Sequence, residues 1–229
     1  MAKTIRLRSL LAKYFNVSNS EAERMIGEGR VRVDGKAEGP SFTLEEWHDV
    51  SVDGKSIRPA KSFVYFLFFK PRGTECTMSA SVENNLRAFF PGNEDVFPVG
   101  RLDKDSEGLL LVTNDGRLFS AIAGEDSGKE KEYVVSVDKE VNADFIRSMS
   151  QGVVIMGKKT KPAKVFAAAD PFSFRIILTQ GLNRQIRRMC YKLGFNVTRL
   201  VRTRIDVFTL GEMKPGEIKV IGAEKLESN

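Results

Sequence analysis

Leu7, Leu10, Leu11 and Tyr14 recur at helical spacing while Arg6, Arg8 and Lys13 fall largely on other faces, which predicts a short amphipathic helix near the start of the chain. Ser18 with Glu21, or Ser20 with Glu23, can form a capping box for a second helix that buries Ala22, Met25 and Ile26 and stops near Gly27 or Gly29. The alternating run Val31-Arg-Val-Asp-Gly-Lys36 is echoed by Val50-Ser-Val-Asp-Gly-Lys55, two strands of a small sheet, each ending in an Asp-Gly turn. Residues 56–62 lack apolar periodicity and carry Pro59, as a connection would. The expected organisation is a module over 1–57, a linker over 58–62 and a larger domain over 63–229. In that domain the apolar runs predict strands at 63–69, 108–113, 132–137 and 172–179, with short helices such as 143–149 between them. Strands and helices do not alternate as in a doubly wound parallel sheet. The fold class expected is α+β: a small helical module with a short sheet, then a domain with a largely antiparallel mixed sheet flanked by helices.

Composition narrows the chemistry. In 229 residues no window approaches the roughly 20 apolar residues of a membrane helix, and no export signal is visible, so a cytoplasmic protein without a membrane partner is expected. Only Cys76 and Cys190 are present, outside any CxxC pair, which excludes a disulfide scaffold and a cysteine-rich zinc site. The sole histidine, His48, lies in an acidic loop, so a histidine-activated nucleophile is disfavoured. Any chemistry would run on carboxylate, tyrosine, lysine or arginine. Lys and Arg total 36 against 30 Asp and Glu, a net charge of +6 that favours polyanionic partners.

The densest polar cluster is Gly100-Arg-Leu-Asp-Lys-Asp-Ser-Glu-Gly108. Asp103, Asp105 and Glu107 match the opening of a calcium loop, but Asn114 stands where a bidentate Glu belongs and strand-like residues follow. The other reading is a polar turn whose aspartates bond nearby backbone N–H groups. In a second cluster Asn183 can cap a helix that buries Ile186, Met189, Cys190 and Leu193 and ends at Gly194, with Arg184, Arg187, Arg188 and Lys192 on the opposite face. Residues 181–205 hold seven basic groups and no acidic one, a pattern that a phosphate backbone would neutralise. Lys158, Lys159, Lys161 and Lys164 form a further patch, equally readable as an ordinary loop.

Taken in order, Lys70-Pro-x-Gly73, Phe97-Pro-Val-Gly-Arg-Leu-Asp103 with its Ser-Glu-Gly-Leu-Leu-Leu continuation, Lys131-x-Tyr133 and Asn183-Arg-Gln-Ile-Arg-Arg188 resemble the bacterial rRNA pseudouridine synthases of the RsuA type. Gln180–Cys190 with Arg202-Thr-Arg-Ile205 is similar in particular to the ribosomal large subunit pseudouridine synthase F subgroup. The resemblance spans nearly the whole chain, and residues 1 to about 57 resemble a small ribosomal-protein-like RNA-binding module. That module usually opens its second helix with adjacent arginines, where this chain has Asn19 and Ser20.

The resemblance implies isomerisation of uridine in structured RNA, without cofactor or metal. It makes Asp103 the essential carboxylate, as nucleophile or base, with Arg187 paired to it. Tyr133 would stack on the flipped uracil, Ile186 would floor the pocket, and Arg101 would fill the gap left in the RNA or hold a phosphate. Lys70, Asn183, Arg184, Arg188 and Arg202 would serve RNA binding or support, as would Arg6, Arg24, Arg30 and Arg32 of the first module. Nine acidic residues balance nine basic ones over 1–57, so the grip of this module on RNA is expected to be supplementary. The implied partners are a large-subunit rRNA stem-loop and possibly tRNA, with the protein a monomer. The alternative is a non-catalytic rRNA-binding or ribosome-assembly protein, which would gain nothing from Asp103 beside RNA phosphates.

Overall fold

The computed structural model describes residues 4–93, 95–124 and 127–223, in two compact units that divide between Phe63 and Val64. The first unit begins with β1 (Ile5–Arg6), α1 (Leu7–Phe15) and α2 (Asn19–Gly27). Leu7 and Leu11 are fully buried, and Ser18 caps α2 by accepting from the Glu21 N–H, one half of the first expected box, while the Glu21 carboxylate pairs with Arg24 instead of closing it. β2 (Val31–Val33) pairs antiparallel with β4 (Val50–Val52), while β3 (Thr43–Leu44) pairs with β1. Asp34-Gly35 and Asp53-Gly54 all have positive φ, as tight hairpin turns require. The second turn leads into β5 (Lys55–Arg58), which pairs with β4. Residues 56–58, read from the sequence as connection, are therefore strand, held by main-chain pairing that apolar alternation does not report.

The second unit carries one nine-stranded sheet in the order β12-β13-β9-β14-β8-β6-β16, with β7 and β15 paired to β8 and β14. Its strands are β6 (Tyr65–Lys70), β7 (Phe97–Val99), β8 (Glu107–Thr113), β9 (Lys131–Val137), β12 (Lys164–Ala167), β13 (Ser173–Leu178), β14 (Val197–Ile205), β15 (Phe208–Thr209) and β16 (Ile218–Val220). Every pairing is antiparallel except β14 with β8. The expected α+β class with a largely antiparallel mixed sheet is what forms. β6 starts at Tyr65 rather than 63, since the Val64 N–H donates to the Asn114 side chain. β8 is buried along its whole length, as its unbroken Leu109-Leu-Leu-Val112 run requires of a central strand.

Three α-helices among the described residues join the sheet: α3 (Gly116–Ala123), α4 (Ala143–Gln151) and α5 (Gln185–Lys192). Phe145 and Met149 of α4 and Ile186, Met189 and Cys190 of α5 share one core with Tyr133, Val135, Phe174, Ile176 and Leu200 of the sheet. A hairpin, β10 (Val154–Ile155) and β11 (Lys158–Lys159), lies against α5. No described helix is long and apolar enough to cross a membrane.

β14 is the largest element absent from the sequence reading. Its pairing with β9 shifts register between Val197 and Arg199 and again between Arg202 and Arg204. Two bulges break the alternation that would have announced a strand.

Candidate active site

The loop between β7 and β8 carries Asp103, and two buried cations and one half-buried one hold that loop largely by its main chain. Lys70, at the end of β6 and fully buried, donates to the carbonyls of Ser106 at 2.8 Å and Pro71 at 3.0 Å. Arg202 of β14 donates from Nε to the Leu109 carbonyl at 2.7 Å and from Nη1 to that of Arg101 at 3.5 Å. Arg187 of α5 donates to the Asp105 carbonyl at 3.0 Å, to Ser106 Oγ at 3.3 Å and to the Val197 carbonyl at 3.2 Å. Carbonyls taken out of water need donors, and cationic donors supply stronger bonds than neutral ones. Lys70 and Arg202 are thus supports of the loop: at 0% and 2% exposure they do not present a charge to a phosphate backbone. Of the two roles expected of them, RNA binding or support, their burial fits support.

Asp103 keeps about a quarter of its side chain exposed. Arg184 Nη1 stands 3.6 Å from its Oδ2 and 3.7 Å from that of Asp105, and it is the only cation within 4 Å of Asp103 among the described residues. The expected Arg187–Asp103 ion pair is not formed within 4 Å: the Arg187 guanidinium is held by the Asp105 and Val197 carbonyls and the Ser106 hydroxyl. Arg184 takes that place through its backbone: it is the N-cap of α5 with φ 51°, a left-handed conformation uncommon for a non-glycine residue. The expected Asn183 cap is also absent. Asn183 instead accepts from Arg188 through both its carbonyl and its side-chain oxygen, while the Gln185 side chain accepts from the Leu182 N–H.

Beside Asp103 a small pocket of about 100 Å³ is lined by Leu102, Ser106, Tyr133, Leu178, Ile186 and Leu200, with Arg101 and Arg184 among its other wall residues. Tyr133 and Ile186 are buried at 9% and 5% exposure, whereas Arg101 is exposed. The geometry brings Asp103, Tyr133, Ile186, Arg101 and Arg184 to one recess: a carboxylate at the mouth, an aromatic and aliphatic interior, and exposed guanidinium groups outside. A planar, uncharged ring fits the interior and a phosphate fits the rim. Ser106 and Leu200 were not singled out from sequence; Ser106 was legible only as part of the Asp103-x-x-Ser spacing, Leu200 only through β14.

Of the other basic groups in 181–205, Arg199 pairs with Glu107 at 2.6 Å and Arg204 with Glu130 at 2.8 Å and Glu132 at 3.0 Å. The acids absent from the segment itself arrive from β8, β9 and the residue before β9. Glu107, one of the supposed calcium ligands, is occupied by this pairing. In the first unit Arg24 pairs with Glu21 and Glu28, and Arg30 with Asp53 at 2.7 Å, all at exposed positions where a phosphate could displace the carboxylate at small cost. Arg6 and Arg32 are exposed and have no ion pair among the described residues. His48 is a turn residue of that unit, its Nδ1 accepting from the Glu45 N–H. Cys76 and Cys190 are buried, and burial pushes the Cys190 thiol up to about 12, so it is not a thiolate nucleophile.

Residues 64–192 match the family model described as RNA pseudouridylate synthase, and residues 5–46 match the S4 domain. The chain belongs to the RNA pseudouridine synthases. It is 40% identical over 225 residues to the dual-specificity RNA pseudouridine synthase RluF of Escherichia coli K12, an alignment covering 97% of this chain and 77% of the relative. An uncharacterized RNA pseudouridine synthase of Aquifex aeolicus is 33% identical, with 97% and 95% covered. A crystal structure of a pseudouridylate synthase superposes with a TM-score of 0.68 at 25% identity, covering 97% of this chain and 98% of the other. The resemblance drawn from the four motifs is therefore confirmed at the level of the family, and so is a first unit of S4 type.

For a synthase, the support of the Asp103 loop carries a pH signature. Burial pushes the Lys70 ammonium from the ordinary 10.5 down to about 8. The unfolded chain therefore holds more protons than the folded one between those values, and stability should rise with pH across that window. Urea unfolding at pH 7, 9 and 10 should show the wild type gaining on Lys70→Met as pH rises. A constant difference between the two would mean that Lys70 keeps its ordinary affinity for the proton.

Proposed function

We propose that Asp103 carries the isomerisation of a uridine in a stem-loop of large-subunit rRNA, with tRNA as a second substrate class. The observation that carries this reading is the carboxylate at the mouth of a small pocket lined by Tyr133 and Ile186. In the reaction the bond from N1 of uracil to C1′ of the ribose breaks, the base turns, C5 bonds to C1′, the hydrogen on C5 leaves and N1 gains a proton. Atoms balance without a donor or a redox partner. Asp103 acts at the sugar or the base as nucleophile or base, Tyr133 stacks on the uracil, Ile186 floors it, and Arg101 at the exposed rim takes the flanking phosphate or the vacated stack. Arg184 holds the Asp103 side before RNA enters, and Arg187 fixes the loop that aims it.

The large-subunit target is supported by the similarity of Gln180–Cys190 to the F subgroup and by the 40% identity to RluF. Such a substrate belongs to the cytoplasm.

The test is release of tritium from RNA transcribed with [5-³H]uridine, since C5 loses its hydrogen only when it becomes the attachment point. Tyr133→Phe should retain most activity, because among the described residues the hydroxyl makes no hydrogen bond. Tyr133→Ala should lose about 1–3 kcal/mol of RNA stacking, read as a raised KM in protein whose folding is checked by circular dichroism. Equal behaviour of the two variants would remove Tyr133 from the stacking role.

A further inference from the structure

Between α5 and the β10–β11 hairpin lies a second and larger cleft, of about 470 Å³, which the reaction just described does not use. Its volume falls within the about 300–1,000 Å³ of small-ligand sites. Two large side chains on it stand mostly in water: Tyr191 of α5 at 72% exposure and Met156, at the hairpin turn, at 67%. A single exposed apolar residue needs no explanation. Here, however, both lie on one cleft whose lining also holds Arg184, Arg187, Arg188 and Lys192 and no carboxylate. Arg188 and Lys192 are exposed and, unlike Arg199 and Arg204, have no acidic partner among the described residues. The hairpin adds exposed Lys158 and Lys159. Met156 has φ 50°, so the turn places a bulky apolar residue where glycine or asparagine would be easier.

Charge and apolar surface together select the occupant. A protein surface would be matched by either feature alone, whereas an unpaired nucleotide presents both at once, a flat ring and a phosphate. Position agrees, since Arg184 and Arg187 line this cleft while Arg184 also borders the Asp103 pocket. We propose that this cleft is a second nucleotide subsite, which receives an unpaired base of the substrate RNA near the target uridine, stacked on Tyr191 with Met156 beside it and its phosphate on Arg188 and Lys192. The subsite rests on the RNA-modifying reading above and adds to it a requirement for unpaired sequence close to the modified position.

The probe is a large-subunit rRNA transcript carrying [5-³H]uridine, used with the full chain and with Tyr191→Ala, Tyr191→Phe and Lys192→Ala. Tyr191 is exposed, so its replacement does not open the core. Loss of one stacked base corresponds to a rise in KM of about 5- to 140-fold for Tyr191→Ala, with kcat within about threefold. Tyr191→Phe should stay within about twofold of wild type on both. Lys192→Ala should lower the slope of log Kd against log salt by about 0.7–0.9, one phosphate contact. Filter binding of the same transcript gives Kd independently of turnover. A wild type that releases no tritium would overturn the catalytic reading while the Kd comparison still decides the subsite. An unchanged Kd and KM in Tyr191→Ala, or Phe and Ala variants that fall together, would overturn the subsite. Tyr191→Ala binding RNA normally but losing a protein partner would do the same, in favour of a protein-docking face.

Discussion

Asp103→Asn is expected to lower single-turnover isomerisation by at least about 10³-fold, about 4 kcal/mol of barrier, while RNA affinity changes by less than about tenfold. The substitution keeps the size and planarity of the side chain and its place beside Arg184, 3.6 Å away. What it removes is the basic, nucleophilic oxygen. It also removes a negative charge from a surface that meets phosphates, so whatever small change in affinity occurs should be toward tighter binding. Tritium release with enzyme in excess over RNA reads the first quantity and filter binding the second. Normal turnover in the variant would displace Asp103 from the reaction, and a loss confined to binding would make it a recognition residue.

Gly108→Ala is expected to destabilise the second unit by about 3–5 kcal/mol, lowering Tm by about 10 °C or more. Gly108 has φ +111°, and a Cβ there would stand 2.3 Å from the carbonyl oxygen and 2.5 Å from the nitrogen of Arg202. Those are main-chain atoms of the facing parallel strand, so no rotamer relieves the clash. β14 would have to move away from β8, and with it the Arg202 guanidinium that holds the carbonyls of Leu109 and Arg101. Activity should therefore fall with stability, because the Asp103 loop loses one of its anchors. Gly116→Ala is the control: it lies at the start of α3 with nothing within 4 Å of its Cβ position, and should be neutral or slightly stabilising. Thermal unfolding of the three proteins compares them directly. A Gly108→Ala protein with unchanged Tm would mean that the two strands pair less closely than described.

Both expectations depend on the same arrangement, in which β6, β14 and α5 each send a cation into one loop. Lys70 lies far in sequence from Arg187 and Arg202, yet the three look alike there, basic residues in an RNA-directed chain. Only Arg187 keeps a partly exposed position. Composition treats a lysine at a surface and a lysine beneath a loop identically, and the distinction comes from which carbonyls lack partners once the sheet has closed.

The sequence by itself determined what is local or carried by ordered motifs. Helical spacing and the Ser18 cap gave α1 and α2, paired Asp-Gly turns gave β2 and β4, and the Leu-rich run gave β8, because these signals act within a few residues. The four ordered motifs pointed to the family, and to Asp103, Tyr133 and Ile186, which the fold brings to one recess. Only the tertiary fold separates the cations that lie beneath the loop from those that stay exposed, since burial of Lys70 and Arg202 depends on β14, a strand whose bulges hide its alternation. It also decided the carboxylate's neighbour. The left-handed backbone of Arg184 brings that residue, rather than Arg187, beside Asp103, and a single backbone dihedral at a helix start leaves no periodic trace in the chain.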